Sequence, residues 1–234
     1  MRVTLGDVVC EYEMHKTDSA DTVLFLHGWG GGLESFAGAY SAVCEWGVSC
    51  VRLAFPKTVP PDWGVYDYAT LTERFTESLG IVHPVIVGHS FGGRVALILA
   101  AQGKCKKLVL TAAAGMKPKF SLKRALRIAA YRRKKKRGKP LDGAGSLDYN
   151  NLEPEMRGVF VRIVNTHLDG LLPYIKCKTL LYWGRRDRDT PLYMARRLKR
   201  GIADSELTVT DGGHFVYAES GYGFNAALKS FILE

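Results

Sequence analysis

A single serine lies in the frame GHSFGG, residues 88 to 93, directly after the apolar residues PVIV. The apolar run predicts a buried strand and the residues after it predict a helix, so Ser90 lies at a strand-to-helix turn. Glycines at positions 88 and 92 leave room for a sharp turn, which lifts the hydroxyl above a sheet and beside the first N–H groups of the helix. GxSxG alone is common, but in this setting it favours a nucleophile at Ser90.

Two further segments contain the partners that such a nucleophile needs. A serine hydroxyl is weak until a base removes its proton, and the base needs a group that orients it. Asp187 in WGRRDRDTP follows one apolar strand, and His214 in TDGGHFVYAES follows the next. Because the carboxyl ends of parallel strands lie at one edge of a sheet, we expect these side chains to meet Ser90 there. Asp189 and Asp211 are weaker candidates for the acid, because Asp189 lies further round the loop and Asp211 is too near His214 in sequence.

Attack of a hydroxyl on a carbonyl produces an oxyanion, which backbone N–H groups about 3 Å away stabilise. One donor is expected at Phe91, the residue after the candidate nucleophile. The other is expected in the loop HGWGGG, which follows the strand TVLFLH, with Trp29 as the best candidate. This loop matches neither GxGxxG nor GxxxxGK[ST], so it gives little support for a nucleotide site.

The apolar runs between these motifs predict a parallel sheet. Strands are predicted in VTLGDVVCEYEM (two, around a turn), TVLFLH, VSCVRLAF, PVIVG, KKLVLTAA, CKTLLYWG and ELTVTD. Helices are predicted from Leu33, in ATLTERFTESLG, after Ser90, over residues 191 to 201 and near the C-terminus. Runs without polar alternation indicate strands buried on both faces, and the regular alternation of strand and helix indicates an α/β fold.

Residues 117 to 173 interrupt the alternation, with two or three helical patterns and no strand. We expect a helical insertion, so that residues 1–116 and 174–234 form the core of a single domain. Of the 33 Lys and Arg residues, 12 lie between Lys117 and Lys139, with no acidic residue among them. The apolar face of one predicted helix in this basic segment is formed by Leu122, Ala125, Leu126 and Ala129.

The composition of the chain excludes several classes of protein. No apolar run in the 234 residues reaches the roughly 18 that a membrane span needs, and the N-terminus lacks the apolar block of a secretory signal, so we expect a cytoplasmic protein. Five cysteines, an odd number and widely spaced, predict buried thiols without disulfides. We expect neither a cofactor nor a metal, since no ligand spacing is evident.

The motifs HGWGG, GHSFGG, WGRRDRDTP and GGHF, in this order and spacing, resemble those of the alpha/beta-hydrolase fold superfamily, from about residue 22 to the C-terminus. The resemblance implies a mostly parallel eight-stranded sheet with helices on both faces, and residues 117–173 as a cap over the pocket. The roles that it implies for single residues are nucleophile for Ser90, base for His214, orienter for Asp187, and oxyanion donors for Trp29 and Phe91. The serine excludes the haloalkane dehalogenase and epoxide hydrolase branches, which use aspartate there. One departure is that PKTVPPDWGVYDY replaces the frequent Gly-x-Gly-x-Ser turn.

We therefore expect a serine hydrolase that cleaves a small carboxylic ester or thioester through an acyl-enzyme. HGWGG and the small size most resemble carboxylesterases related to the pimeloyl-acyl-carrier-protein methyl ester esterase. Alternatives that stay open are a carbon–carbon bond hydrolase, a menaquinone-pathway lyase with the same triad, and a non-catalytic ligand receptor. The apolar residues beside the motifs that are expected to bind substrate are Trp29, Phe36, Met116 and Phe215.

The formal net charge of +10 has three interpretations. An acidic carrier protein or the phosphates of an acyl-CoA would find complementary charge at a basic pocket entrance. The charge run is equally typical of a solvent-exposed helix face, and a basic amphipathic helix can also adsorb to an anionic membrane surface. Nucleic acid is not expected, because no binding motif accompanies the charge.

Overall fold

The computed structural model describes residues 1–120, 133, 136–137 and 147–233. The strands are β1 Arg2–Leu5, β2 Val8–His15, β3 Thr22–Leu26, β4 Ser49–Ala54, β5 Val85–His89, β6 Lys107–Thr111, β7 Lys178–Gly184 and β8 Ser205–Thr210. They form one sheet in the order β1-β2-β4-β3-β5-β6-β7-β8. The pairs β1/β2 and β2/β4 are antiparallel and all the others are parallel. The predicted eight-stranded, mostly parallel sheet is confirmed.

Helices cover both faces of this sheet. They are α1 Ala37–Glu45, α2 Val65–Ser78, α3 Phe91–Ala101, α4 Leu147–Asn150, α5 Pro154–Asn165, α6 Leu192–Gly201, α7 Val216–Glu219 and α8 Gly221–Leu233, with a 3-10 helix at Asp169–Tyr174. Leu24 and Leu26 of β3 pack on the side of α2, α3 and α6, whereas Val23 and Phe25 pack on the side of α1 and α8. Successive strand residues point to opposite faces, so an uninterrupted apolar strand fills both cores.

The first helix begins at Ala37 and not at Leu33, where the sequence predicted it. Phe36, directly before the helix, has a φ of 62°. A left-handed conformation at a bulky residue breaks a right-handed helix. The loop from β3 therefore turns once more before α1 starts, and this turn was not visible in the apolar pattern.

The chain between β6 and β7 contains helices and turns in its described part. Met156, Val159, Phe160 and Ile163 form the buried face of α5. Most of the basic segment, including the predicted apolar face of Leu122, Ala125, Leu126 and Ala129, lies outside the described residues. In the described ranges, no helix is both long and apolar enough to cross a lipid bilayer.

Candidate active site

Ser90 lies at a strained turn between β5 and α3, with φ 49° and ψ −106°. The glycines after it let the helix start against the sheet. A Cβ on Gly92 would lie 2.1 Å from the carbonyl oxygen of Leu26, and one on Gly93 would lie 2.4 Å from the Cβ of Ala113. No side chain fits at either position, because real Cβ contacts are never this short. The GHSFGG frame therefore has the close strand-to-helix geometry of a nucleophile elbow.

Asp187 and His214 form a hydrogen-bonded pair in the loops after β7 and β8. His214 Nδ1 lies 3.0 Å from Asp187 Oδ2. The Thr190 hydroxyl donates to the same oxygen at 2.7 Å, and the Asp189 and Thr190 N–H groups each donate to Oδ1 at 2.9 Å. Burial alone would raise the pKa of Asp187, but the bonds from His214 and Thr190 outweigh it and hold the pKa below its usual range. An ionised Asp187 only accepts, so the His214 proton is on Nδ1 and Nε2 is free to take another.

Thr190 was not recognised in the sequence. Its hydroxyl oxygen lies 3.0 Å from the Ala112 carbonyl at the end of β6, as well as beside Asp187. The signal that was present is a threonine three residues after an aspartate in DRDTP, a pattern in which the aspartate side chain bonds nearby backbone N–H groups. Thr190 connects the loop after β7 to its neighbouring strand and fixes the carboxylate that orients His214.

Two buried histidines brace the loops on either side of Ser90. His27 Nδ1 donates to the Gly28 carbonyl at 2.7 Å, and its Nε2 accepts from the Phe55 N–H at 2.9 Å. His89 Nε2 donates to the His214 carbonyl at 3.0 Å. Burial, and then the neighbouring His214, lower the pKa of His89 to about 3. Both rings are therefore neutral, and each fixes a backbone segment.

The two amides expected to stabilise an oxyanion belong to adjacent segments. The Gly92 N–H donates to the His27 carbonyl at 3.0 Å and holds the HGWGGG loop against the start of α3. In the described part of the chain, neither the N–H of Trp29 nor that of Phe91 donates to a backbone carbonyl. Phe91 is the first residue of α3, a position whose N–H has no partner within the helix. Both residues line the same cavity as Ser90.

This cavity has a volume of about 400 Å³ and is lined by both Ser90 and His214. Of the four residues predicted to bind substrate, Trp29 and Phe215 line it. Phe36 and Met116 lie elsewhere, each 2% exposed. Phe36 packs against Tyr217 at a ring-centroid distance of 4.2 Å, and Met116 belongs to the core on the α3 side. Core packing occupies both side chains, because proximity to a motif in sequence does not decide the direction of a side chain.

Other cavity residues were missed because they come from distant parts of the chain. α5 contributes Phe160, Ile163 and Val164, and α3 contributes Arg94. A second cavity of about 230 Å³, lined by Phe55, Tyr68 and Met156 among others, lies on the other side of Trp29 and Phe91. The Trp29 and Phe91 rings meet edge to face at a centroid distance of 5.2 Å.

Asp187, Asp189 and His214 could in principle hold a metal ion. One ligand atom from each lies within 4.8 Å of the others, which makes them the one such group among the described ranges. A cation would compete with the hydrogen bonds that already occupy both oxygens of Asp187. The arrangement is better explained as an acid–base pair with a second carboxylate beside it.

The fold and these motifs agree with one family. A family model described as "Alpha/beta hydrolase family" matches residues 23–227, most of the chain, and the chain belongs to that family. The AB hydrolase superfamily protein YisY of Bacillus subtilis is 25% identical over 89% of this chain and 90% of its own. An Escherichia coli protein named 2-hydroxy-6-oxononadienedioate/2-hydroxy-6-oxononatrienedioate hydrolase is 42% identical over 62 residues, 26% of this chain and 22% of that one.

Solved structures share the whole fold at low identity. The enol-lactonase of Burkholderia xenovorans LB400 superposes with a TM-score of 0.79 at 15% identity, over 100% of both chains. The esterase EaEST of Exiguobacterium antarcticum gives a TM-score of 0.76 at 19% identity, over 97% of this chain and 96% of its own. At such identities the likeness establishes the shared architecture alone.

Proposed function

We propose that this alpha/beta hydrolase is a serine hydrolase that cleaves a carboxylic ester or thioester through an acyl-enzyme. The observation that carries the proposal is the His214–Asp187 pair, in which Nδ1 of His214 bonds the carboxylate and Nε2 remains for proton transfer at the cavity that Ser90 also lines. His214 takes the Ser90 proton as the hydroxyl attacks the carbonyl, and the protonated ring then donates to the leaving group. Water activated by His214 releases the acid.

The amides of Trp29 and Phe91 are proposed to receive the tetrahedral oxyanion. Each such donor typically contributes about 10²- to 10³-fold in kcat. The aromatic walls of Trp29, Phe91 and Phe160 suit an apolar part of the substrate. We further propose that residues 117–173 form a cap, with α5 as the part that closes the cavity, and that the basic segment guides an acidic carrier protein or an acyl-CoA to it.

A carbon–carbon bond hydrolase is the second candidate. The name of the Escherichia coli relative, a hydrolase of hydroxy-oxo dioates, favours it over the 62 residues that match. Both candidates use the same three side chains, so their substrates separate them. Turnover of a hydroxy-oxo dienedioate together with inertness towards esters would favour this candidate.

The test is hydrolysis of p-nitrophenyl esters from acetate to decanoate by the wild type, by Ser90→Ala and by a control, Ser41→Ala, which removes an exposed hydroxyl on α1. We expect Ser90→Ala to lose at least about 10³-fold in kcat and the control to keep wild-type rates. A fluorophosphonate probe is expected to label Ser90 in the wild type. Equal hydrolysis by wild type and Ser90→Ala would overturn the proposed mechanism.

A further inference from the structure

Arg94 is a buried cation in the wall of the cavity. It lies on α3 one helical turn after Ser90, with its N–H 3.3 Å from the Ser90 carbonyl, and it is only 7% exposed. Its Nη1 donates to the carbonyls of Ile163 at 3.0 Å and Thr166 at 2.6 Å, at the end of α5. Burial lowers the pKa of Arg94 to about 10, so the guanidinium stays charged near neutral pH.

The partners of this guanidinium do not neutralise it. Its third bond, from Nη2 to the Val164 carbonyl, is 3.4 Å long. Within the described ranges, no carboxylate forms an ion pair with Arg94, and its side-chain hydrogen bonds come from Nη1 and Nη2 and not from Nε. The carbonyls at a helix C-terminus have only partial negative charge. A buried charge of this kind is costly unless it is compensated, and the cavity beside it is where a compensating anion fits.

Arg162 shows that attachment of α5 does not by itself require a charge inside the cavity. It also connects α5 to the core, through the Trp63 carbonyl at 2.9 Å and the Pro61 carbonyl. It does so outside the cavity lining. Two arginines thus attach the same helix, and only Arg94 does so beside Ser90.

Asp189 is the acidic residue in the lining of the cavity, and its position gives the cavity a direction. Asp189 lines the wall near His214, within 4.8 Å of it by their ligand atoms. Like charges repel strongly in a partly enclosed site, so Asp189 disfavours a substrate anion at the His214 end. Arg94 attracts the same anion at the α5 end. A substrate held between them has its carbonyl near Ser90 and its anionic group at Arg94.

We propose that Arg94 forms an anion subsite and that the preferred substrates are esters or thioesters with a carboxylate a few bonds from the scissile carbonyl. This inference rests on the proposed hydrolase function and adds the substrate class. The guanidinium binds the carboxylate through N–H groups that α5 leaves free, a charge-assisted contact that is stronger than a neutral hydrogen bond.

The kinetic test compares isosteric charged and neutral esters. Monomethyl glutarate against methyl 5-methylhexanoate places the anion in the acyl part, and butyryloxyacetate against isobutyl butyrate places it in the alcohol part. We expect the wild type to prefer the anionic member of one pair by at least about 10-fold in kcat/KM. Arg94→Gln is expected to abolish this preference, mainly through KM, and Arg94→Lys to keep part of it.

Arg162→Gln is the matched control, since it loosens α5 without changing the charge of the cavity. We expect it to keep the wild-type ratio between the members of each pair. Absence of an anionic preference in both pairs would overturn the proposal. An equal loss for charged and neutral esters in Arg94→Gln would do the same, because it would assign to Arg94 a purely structural role.

A binding test is independent of turnover. Glutarate is added to Ser90→Ala and to Ser90→Ala with Arg94→Gln, and thermal unfolding is followed. Glutarate is expected to raise Tm saturably only where Arg94 is present. This separates the subsite from the hydrolase proposal, because the shift requires no reaction. Equal shifts with and without Arg94 would contradict the subsite even if Ser90 proves to be the nucleophile.

Discussion

At the scale of single residues, His89 is a buried histidine that donates to the His214 carbonyl and whose ring is costly to protonate. The ring is 2% exposed, and its centroid lies 4.8 Å from that of His214. A second proton would place an unsolvated charge beside the candidate base. The hydrogen bond from His89 to the His214 carbonyl shows that the neutral ring of His89 has its proton on Nε2. His89 is therefore a positioning residue whose burial lowers the free energy of unfolding at acidic pH.

The sign of this cost follows from the two pKa values. The unfolded chain has an ordinary histidine pKa near 6.5, whereas the pKa of folded His89 is lowered to about 3. Below pH 6.5 the unfolded state binds the proton first, so the stability present above pH 6.5 is lost as the pH falls towards 3. At pH 5 the loss is about 2 kcal/mol. Between pH 7.5 and pH 5, the wild type should lose more free energy of unfolding than His89→Gln. We expect the difference between the two losses to be about 2 kcal/mol, measured by urea denaturation.

His15→Gln on β2 is the control for that measurement, because His15 lies outside the core. It is expected to keep the pH dependence of the wild type. An unchanged pH dependence in His89→Gln would show that His89 is not a neutral buried residue in solution.

The sequence provided candidates for those roles that only a few residue types can perform. A serine in GxSxG, and an aspartate and a histidine at the ends of later strands, are recognisable because strand ends share one edge of the sheet. Arg94 was not predictable, since its role depends on carbonyls about 70 positions later in the chain. Phe36 and Met116 were predicted to bind substrate because they lie close to the motifs in sequence. Such closeness does not place a side chain in a cavity.

At the scale of elements, the contact between β3 and α3 requires a glycine. The two elements approach so closely that a Cβ on Gly92 would lie 2.1 Å from the Leu26 carbonyl oxygen. The same contact holds the HGWGGG loop beside the start of α3. Packing of these two elements and placement of the Trp29 and Phe91 amides therefore depend on the same residue.

Gly92→Ala is expected to force α3 away from β3 and to lower the free energy of unfolding by several kcal/mol, because backbone atoms cannot yield as side chains do. Chemical denaturation checks this. Gly38→Ala on α1 is the control, since nothing lies within 4 Å of its Cβ and alanine forms helix better than glycine by about 1 kcal/mol. Equal stability of the two variants would contradict the close packing.

The elements themselves were largely predictable, because apolar runs that end at glycine or proline mark buried strands. Each predicted strand lies within one or two residues of its place in the structure. The start of α1 was displaced by the left-handed Phe36, a backbone conformation that no pattern of side-chain polarity reveals.

At the scale of the whole molecule, the positive charge is unevenly distributed along the chain. The formal net charge is +10, and 12 of the 33 Lys and Arg residues lie between Lys117 and Lys139. If this segment guides an anionic carrier, its effect must depend on salt, because 0.1 M salt screens attraction between charges that are more than about 10 Å apart.

Replacing Arg132, Arg133, Lys134 and Lys135 by glutamine is expected to raise KM for a butyryl-CoA thioester several-fold at low salt. KM for the uncharged N-acetylcysteamine thioester of the same acyl group should not change. Steady-state kinetics between 20 and about 300 mM salt measure both. A control variant with Lys16 and Lys229, two basic residues outside the segment, replaced by glutamine should match the wild type. Identical salt dependence for both thioesters would rule out guidance by charge.

The pairing of β6 with β7 determines how far the connection between them can vary in length. The two strands are direct neighbours, with Lys107 opposite Lys178, although the whole intervening segment separates them in sequence. Doubling the length of such a connection costs only about 0.6 kcal/mol in closure entropy. We therefore expect the pairing of these two strands to tolerate a longer or shorter connection, as long as the face that Met156, Val159 and Ile163 bury in the core is kept. Added length would then extend the surface around the cavity and leave the sheet unchanged.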